Sequence, residues 1–256
     1  VAAATPDIRV ADVAYNTQKI CGLIDETVKE GAKVVAFPEL CVTGYTCGDL
    51  FTQEVLLKEA RAALHKIARH TKGKDALIFV GVPVAVEGKL YNVAAALNQG
   101  KILGLTTKSF LPNYGEFYEM RQFTEGPSAA REILFDGEKM PFGPQLLFVA
   151  DSMESLVVSA EICEDAWSSV PPSIEAAREG AVIIANCSAS DETTGKAGYR
   201  ETLIAGQSAR LVCAYIYANA GEGESTQDLV FGGHDIIAEN GNILAESERF
   251  KNGMIT

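Results

Sequence analysis

Three predominantly apolar runs in this chain each stop at a chemically reactive side chain, and this feature restricts the folds that the chain can adopt. The runs directly precede Glu39, Lys108 and Cys163. Short apolar runs are typical of strands buried inside an α/β protein. Since α/β sheets bind ligands at the carboxyl ends of their strands, we predict that a carboxylate, an amine and a thiol meet in one cleft.

Amphipathic helices alternate with strands in the first half of the chain. Apolar residues recur at helical spacing over 16–30 and again over 53–70, and a strand-like run follows each helix. Residues 91–97 and 101–108 are strand-like and flank a turn that contains Gly100, so they are predicted to form an antiparallel hairpin. This order indicates a mixed α/β fold.

The second half of the chain repeats this alternation less regularly. Helices are predicted over 172–179 and 199–211, and strand-like runs follow at 181–186 and 213–219. The pair Asn240-Gly241 separates two short apolar runs and predicts a final hairpin. Because no linker rich in Pro, Gly or Ser interrupts the chain, we predict one domain with two sheets packed between helices.

Charge and composition exclude several classes of function. The net charge is -12 at pH 7 and the basic residues form no cluster, so nucleic acid and anionic membrane surfaces are not expected as partners. No apolar run approaches the roughly 20 residues of a transmembrane helix, and the first residues lack the positive charge of a signal peptide. We therefore expect a cytoplasmic protein.

Metal and disulfide sites are not predicted. The six cysteines are spread along the chain without a CxxC pair, which argues against a disulfide framework and against a zinc site. Among the three histidines, His65 and His70 fall in a charged helical segment and are expected to face solvent. His234 follows two glycines, where it can be a turn residue, a strand residue or a base.

The three reactive residues suit the hydrolysis of a carboxamide. Cleavage of an amide needs a strong nucleophile, a stabilised tetrahedral intermediate and a proton for the departing amine. Cys163 can attack the amide, Glu39 can act as the base that returns the proton, and Lys108 can stabilise the oxyanion. Backbone N–H groups just after Cys163 can assist Lys108 in this task.

Each of these residues also has a simpler explanation. Free cysteine is among the most buried residue types, so Cys163 can be a small structural part of the core. Glu39 and Lys108 can be solvated strand ends or halves of salt bridges. Sequence spacing alone leaves both explanations open.

Three ordered segments resemble the signature motifs of the nitrilase superfamily, also called the carbon-nitrogen hydrolase superfamily. These segments are Phe37-Pro38-Glu39-Leu40, Lys108-Ser109-Phe110-Leu111-Pro112-Asn113-Tyr114 and Cys163-Glu164-Asp165-Ala166-Trp167. Within that superfamily, the pattern from Leu111 to Phe123 is most similar to the glutaminase domain of glutamine-dependent NAD(+) synthetases. The resemblance covers nearly the whole chain, residues 1–256.

The resemblance implies a four-layer αββα sandwich and a mechanism. Glu39 would be the general base, Lys108 would stabilise the intermediate, and Cys163 would be acylated by L-glutamine to a γ-glutamyl thioester that water cleaves. Glu119 matches a second glutamate that orients the site, and the nearby Glu116 is a rival for that role.

The resemblance also implies a substrate pocket. Tyr114, Glu164, Trp167 and Ser190 fall where the family builds this pocket, with Tyr45 at its rim, and Glu164 suits the α-ammonium group of the ligand. Ordinary core packing is the simpler explanation for Tyr114 and Trp167, and a loop cap is the simpler explanation for Ser190. No metal or organic cofactor is expected for the amidase step.

Two departures from the full synthetase pattern shape the expected role. The chain begins without methionine, and it contains no Ser-Gly-Gly-x-Asp-Ser loop for ATP pyrophosphate before Thr256. We therefore expect a glutaminase domain that supplies ammonia to a synthetase domain, covalently attached in the full-length protein, with ATP and Mg²⁺ needed only there. Self-association is also expected from the family.

Two other functions remain open at this point. One is a stand-alone amidase, nitrilase or carbamoylase that acts on another small carbon-nitrogen substrate. The other is a catalytically silent scaffold, which the joint presence of Glu39, Lys108 and Cys163 disfavours.

Overall fold

The structure, a computed structural model that describes residues 1–256, contains two facing β-sheets with helices on their outer faces. The first sheet has the order β14-β1-β2-β3-β4-β5-β7-β6. Its strands are β1 (Ala2–Thr5), β2 (Val34–Ala36), β3 (Leu77–Val86), β4 (Lys89–Asn98), β5 (Lys101–Thr107), β6 (Arg131–Phe135), β7 (Glu138–Gly143) and β14 (Gly253–Ile255).

The second sheet has the order β13-β12-β11-β10-β9-β8. Its strands are β8 (Leu147–Ala150), β9 (Met153–Ile162), β10 (Ile183–Ser188), β11 (Ala214–Asn219), β12 (Ile236–Glu239) and β13 (Asn242–Glu246). The helices are α1 (Val13–Lys29), α2 (Glu54–His70), α3 (Glu164–Trp167), α4 (Ser173–Arg178) and α5 (Lys196–Leu211), with 3-10 helices at Tyr45–Thr52 and Glu119–Arg121. No helix combines the length and the apolar composition needed to cross a bilayer.

Hydrophobic cores fill the three spaces between the four layers. Along β4, Val93 and Ala95 belong to the core beneath α1 and α2, whereas Ala94 and Ala96 belong to the core between the sheets. This division follows from the two-residue period of a strand. A third core, which includes Ile204, lies between the second sheet and helices α4 and α5. The predicted αββα sandwich is therefore confirmed.

Most of the predicted elements are present with shifted ends. Helix α1 begins before residue 16 and α5 begins at Lys196, while both predicted hairpins are present as antiparallel pairs. Strand β3 continues to Val86, and a tight turn at Glu87-Gly88, where both residues have positive φ, leads into β4. No element was predicted between 131 and 150, where β6, β7 and β8 lie.

Strand direction brings the reactive residues to one end of the sandwich. Strands β2 and β3 are parallel, and the two antiparallel pairings β3–β4 and β4–β5 make β5 run in the same direction as β2. The carboxyl ends of β2 and β5 therefore lie at the same edge of the first sheet. At the second sheet, the Glu39 N–H donates to the carbonyl of Ser188 at the end of β10, which is parallel to β9.

Candidate active site

One lysine lies between two buried carboxylates at this end of the sandwich. The Lys108 ammonium Nζ is 2.6 Å from Glu39 Oε1 and 2.6 Å from Glu119 Oε1. Asn92 Nδ2 donates to the same oxygen of Glu39 at 2.6 Å, and the Tyr45 hydroxyl donates to Glu119 Oε1 at 2.7 Å. The arrangement fixes both carboxylates around one cation.

Burial and the charge of the ion-pair partner shift the pKa values of Lys108 and Glu119 in opposite directions. Burial alone would lower the pKa of Lys108, but the charges of Glu119 and Glu39 hold it well above its usual value. Burial raises the pKa of Glu119 to about 7, with Lys108 opposing this rise and Glu39 adding to it. The lysine is therefore a permanent positive charge in a region that excludes water.

The hydrogen-bonding capacity of the cluster is not used up. An ammonium group has three N–H donors, and the two glutamates take two of those on Lys108. The second oxygen of Glu39, Oε2, is buried and has no hydrogen-bond partner, and the same holds for Glu119 Oε2. One N–H donor and two carboxylate oxygens are thus without a partner inside the cluster.

Cys163 lies in a strained turn between β9 and α3. Its backbone has φ 43° and ψ -99°, in a region that residues with a side chain seldom adopt. The Cys163 N–H donates to Asn186 Oδ1 at 3.1 Å and to the carbonyl of Cys187 at 3.1 Å, so β10 holds the turn in place.

Asp165 ties the Cys163 turn to the segment that follows Lys108. Its Oδ1 accepts hydrogen bonds from the N–H groups of Ser109 and Phe110, both at 2.9 Å, and its Oδ2 accepts one from Ile162 at 3.0 Å. A single buried carboxylate therefore fixes the end of β9 against the chain after β5. This fixes the thiol and the ammonium relative to each other.

The surroundings of Cys163 favour the neutral form of its thiol. Burial raises the pKa of Cys163 well above that of a free cysteine, and the nearby charge of Glu39 raises it further, while Lys108 opposes the shift. A cysteine in this state cannot attack as a standing thiolate. An attack by this thiol would require its proton to move to a base, and Glu39 is a nearby carboxylate whose charge raises the thiol pKa.

A cavity of about 450 Å³ opens in front of Cys163. It is lined by Pro112, Tyr114, Phe117, Cys163, Glu164, Trp167, Ser190, Thr193, Thr194, Gly195, Lys196 and Tyr199. The Tyr114 hydroxyl lies 2.9 Å from Glu164 Oε1, and the Lys196 ammonium pairs with Asp191. The cavity therefore contains one carboxylate and one ammonium group beside the thiol.

Four of the five residues predicted to bind substrate line this cavity, and the fifth lies elsewhere. Tyr45 lines a separate cavity of about 190 Å³, which Glu119 also lines, and it is not among the residues that line the Cys163 cavity. It lies there because Glu224 accepts hydrogen bonds from the N–H groups of Tyr45 and Thr46. Of the two rival glutamates, Glu119 contacts Lys108, while Glu116 lines the separate cavity.

Sequence reasoning missed several residues around the site. Nothing in the sequence marked Lys196 as a site residue beyond its place after a glycine. Asn92 lies within an apolar strand and was not singled out either. Asp165 belongs to the motif at Cys163, but the sequence assigned it no role. Farther away, Glu201, His234 and Glu246 place three possible metal-ligand atoms within 4.8 Å of one another.

The fold and the site define the class of protein. A sequence profile of the carbon-nitrogen hydrolase family matches residues 1–256, so this chain belongs to the carbon-nitrogen hydrolase family and the sequence-based resemblance is confirmed. The chain is 40% identical over 254 residues to the glutamine-dependent NAD(+) synthetase of Mycobacterium tuberculosis, covering 99% of this chain and 37% of that protein. It spans about two fifths of the length of the curated relatives it matches.

Solved structures agree with this assignment. The chain matches a crystal structure of a glutamine-dependent NAD(+) synthetase from Cytophaga hutchinsonii with a TM-score of 0.89 and 30% identity, over 99% of this chain and 42% of that one. It also matches an amidase from Nesterenkonia with a TM-score of 0.76 and 20% identity, over 99% of this chain and 87% of that one. The second likeness supports the fold alone.

Proposed function

We propose that this chain hydrolyses the side-chain amide of L-glutamine through a γ-glutamyl thioester on Cys163. The observation that carries the proposal is that Glu164 and Lys196 lie in the same cavity as the thiol. A free amino acid carries one ammonium and one carboxylate group, and a simple aliphatic amide carries neither. A cavity with both complementary charges beside the nucleophile suits an amino acid amide.

The residues of the buried cluster support an acylation step. The Cys163 sulfur attacks the amide carbon while its proton passes to Oε2 of Glu39, the oxygen without a partner. The oxyanion is stabilised by the remaining N–H of Lys108. When the C–N bond breaks, Glu39 returns the proton to the nitrogen, so ammonia leaves and the thioester remains.

Deacylation uses the same base. Glu39 takes a proton from water, the water oxygen attacks the thioester carbon, and the C–S bond breaks as the proton returns to sulfur. Glutamate leaves and the thiol is regenerated. Glu119, hydrogen-bonded to Lys108 and Tyr45, orients the ammonium in both steps.

The cavity lining assigns each end of the ligand. Glu164, together with Tyr114, accepts the α-ammonium group, and Lys196 contacts the α-carboxylate. The ion pair with Asp191 holds Lys196 on this side of the cavity, where its Nζ also lies 5.5 Å from the centre of the Trp167 ring. Ser190 lies on the same wall and adds a hydroxyl for the ligand.

The relatives supply the wider role. Because they are named glutamine-dependent NAD(+) synthetases and this chain matches about two fifths of their length, we infer that the ammonia serves NAD(+) synthesis in a synthetase domain. ATP and Mg²⁺ would act in that domain, and the amidase step would proceed with protein side chains alone. A cytoplasmic location and self-association stay predictions from the sequence.

The test is release of glutamate and ammonia from L-glutamine, comparing the chain with Cys163→Ala. We expect release by the parent chain and none by the variant. A neutral aliphatic amide such as butyramide should be a much poorer substrate, because it has no charged groups that could pair with Glu164 or Lys196. Equal rates on both amides would contradict the assignment of glutamine.

A second measurement tests the proposal even if the chain hydrolyses glutamine slowly without its synthetase domain. The glutamine analogue 6-diazo-5-oxonorleucine should alkylate Cys163, which peptide mass spectrometry would locate. Cys21, which is partly exposed, is the control thiol and should stay unmodified. Labelling of Cys21 without Cys163, or of neither, would count against the proposed function.

A further inference from the structure

A buried guanidinium lies directly behind one wall of the Cys163 cavity. Arg200, in α5, is fully buried. Its NH2 group donates to Ser190 Oγ at 3.3 Å and to the carbonyl of Asp191 at 3.0 Å, and its NH1 group donates to Glu192 Oε1 at 2.6 Å. One side chain therefore holds three consecutive residues, 190–192, where the chain leaves β10 and passes along the cavity.

One of those three residues lines the cavity, and a second forms an ion pair with a residue that lines it. Ser190 lines the cavity, and Asp191 pairs with Lys196, which lines it as well. Loss of the hydrogen bonds from Arg200 to this segment would therefore move both the hydroxyl and the ammonium of the wall.

Arg200 is itself held from the other side by His234. NH1 of Arg200 lies 2.8 Å from Nδ1 of His234, and Nε2 of His234 lies 2.6 Å from Oε1 of Glu246 in β13. Since arginine can only donate, Nδ1 has to accept, and the ring proton is therefore on Nε2, where it is donated to Glu246. The order of hydrogen bonds runs from Glu246 at the surface through His234 to Arg200.

This order excludes one alternative use of the cluster. Glu201, His234 and Glu246 have the ligand types of a metal site. However, a neutral histidine binds a metal through a nitrogen that carries no proton, and the hydrogen bond from Arg200 takes that nitrogen. The histidine is therefore set up to hold the arginine.

We propose that Arg200, His234 and Glu246 form a positioning relay that fixes the 190–192 wall of the substrate cavity. The relay touches no reacting atom, and its ligand-binding consequence rests on the proposed function. A guanidinium buried among several acceptors orders the chain strongly, because each lost partner leaves a buried charge unsatisfied. Binding of the substrate should therefore suffer more than the chemical step when the relay is broken.

The test compares His234→Leu, which removes the acceptor for Arg200, with His234→Asn, whose Oδ1 can still accept near the position of Nδ1. Hydrogen-deuterium exchange of the peptide covering 189–196 is the readout that needs no activity. We expect faster exchange there in His234→Leu and substantial recovery in His234→Asn. Steady-state kinetics with L-glutamine should show KM raised about tenfold in His234→Leu with a smaller change in kcat.

A surface variant covers the case in which His234→Leu does not fold. Glu246→Ala removes the last member of the relay from a partly exposed site, and Glu248→Ala, which removes a carboxylate paired only with exposed Lys251, is its matched control. Glu246→Ala should increase exchange over 189–196, and Glu248→Ala should not.

The two proposals fail in different ways. If no protein releases glutamate and 6-diazo-5-oxonorleucine does not alkylate Cys163, but exchange over 189–196 still responds to His234→Leu or Glu246→Ala, the relay stands and the assignment of glutamine falls. If glutamate is released and both exchange and KM are unchanged in every folded variant, the relay is overturned. A fall in kcat with KM unchanged would also overturn the relay, because that result would mean that these residues affect the chemical step and not substrate binding.

Discussion

At the scale of single residues, the charge balance of the site depends on Lys108, the cation in contact with both Glu39 and Glu119. Lys108→Met keeps most of the side-chain volume and leaves two carboxylates buried beside each other. Breaking a buried ion pair from one side typically costs about 3–5 kcal/mol. We expect a loss of unfolding free energy of this order in urea, together with loss of hydrolysis.

Adding Glu119→Gln to Lys108→Met distinguishes the energy of the Lys108–Glu119 ion pair from the general cost of replacing a buried lysine. In the Lys108→Met background this second change removes one of two repelling charges, so it should restore part of the lost stability. In the parent chain the same change removes a partner of Lys108. Identical effects in both backgrounds would mean that the two residues do not interact.

Glu119 also gives the site a predictable dependence on pH. Burial raises its pKa from 4.5 to about 7, so the folded protein binds this proton more tightly than the unfolded chain does. The stability that comes from this group is complete below pH 4.5 and is lost as the pH rises through about 7. As the pH rises across this interval, the unfolding free energy of the parent chain should therefore fall by up to about 3 kcal/mol relative to that of Glu119→Gln.

Denaturant unfolding at several pH values measures this difference. Glu116→Gln is the control, because it removes a carboxylate three positions away that forms a hydrogen bond with neither Lys108 nor Tyr45. The unfolding free energy of Glu116→Gln should fall with rising pH as it does in the parent chain. A gap between parent and Glu119→Gln that stays constant with pH would refute the raised pKa.

At the scale of secondary-structure elements, β3 supports the loop that carries Glu39. A Cβ atom at Gly81 would lie 2.7 Å from the carbonyl carbon of Glu39 and still closer to backbone atoms of Pro38 and Leu40. Gly81→Ala should therefore displace the loop and strongly reduce hydrolysis, since backbone atoms cannot yield as a flexible side chain can. The rate of glutamate release and the rate of Cys163 alkylation both report on this displacement.

Helix α1 offers the matched control for this glycine. A Cβ atom added at Gly22 would have no atom within 4 Å apart from the adjoining backbone of its own helix, so Gly22→Ala meets no obstacle. In a helix interior this change should stabilise the protein by roughly 0.5–1 kcal/mol. If both alanine variants behave alike, close packing of β3 on the Glu39 loop is not what Gly81 provides.

The sequence predicted those elements that have a recognisable local pattern, such as a turn dipeptide or an amphipathic helix. The final hairpin is present because Asn240 and Gly241 both accept positive φ, and α1 and α2 bury one regular face. The region 131–150 gave no such signal, because β6 lies at the edge of its sheet and its Leu134 is exposed. Short edge strands get their order from neighbours that are distant in sequence.

At the scale of the whole molecule, the candidate site is assembled from both sheets. Glu39 and Lys108 follow strands of the first sheet, and Cys163 follows a strand of the second. The family motifs pointed to these three residues without any contact information. Local sequence could not show that Glu119, rather than Glu116, reaches Lys108, since both acidic residues lie in one short turn segment. It also could not show Arg200 behind the cavity, because α5 packs there through long-range contacts.

A buried hydroxyl links the two sheets. Thr5 Oγ1, in β1, lies 2.7 Å from the carbonyl of Asn219 at the end of β11 and 2.9 Å from Asp235 Oδ1. Thr5→Val keeps the shape of the side chain and removes the donor, at a cost of about 1–3 kcal/mol. Thr226→Val, at an exposed position, is the control for the same chemical change.

Because the site needs both sheets in place, loss of hydrolysis, of Trp167 fluorescence and of far-UV circular dichroism should coincide along a urea gradient. Trp167 is the single tryptophan and lines the Cys163 cavity, so its emission reports on the surroundings of the site. Thr5→Val should move all three midpoints to lower urea by the same amount, with Thr226→Val unchanged. A site that is lost while the circular dichroism persists would instead mean that the sheets unfold independently, and that the link through Thr5 does not hold the cluster together.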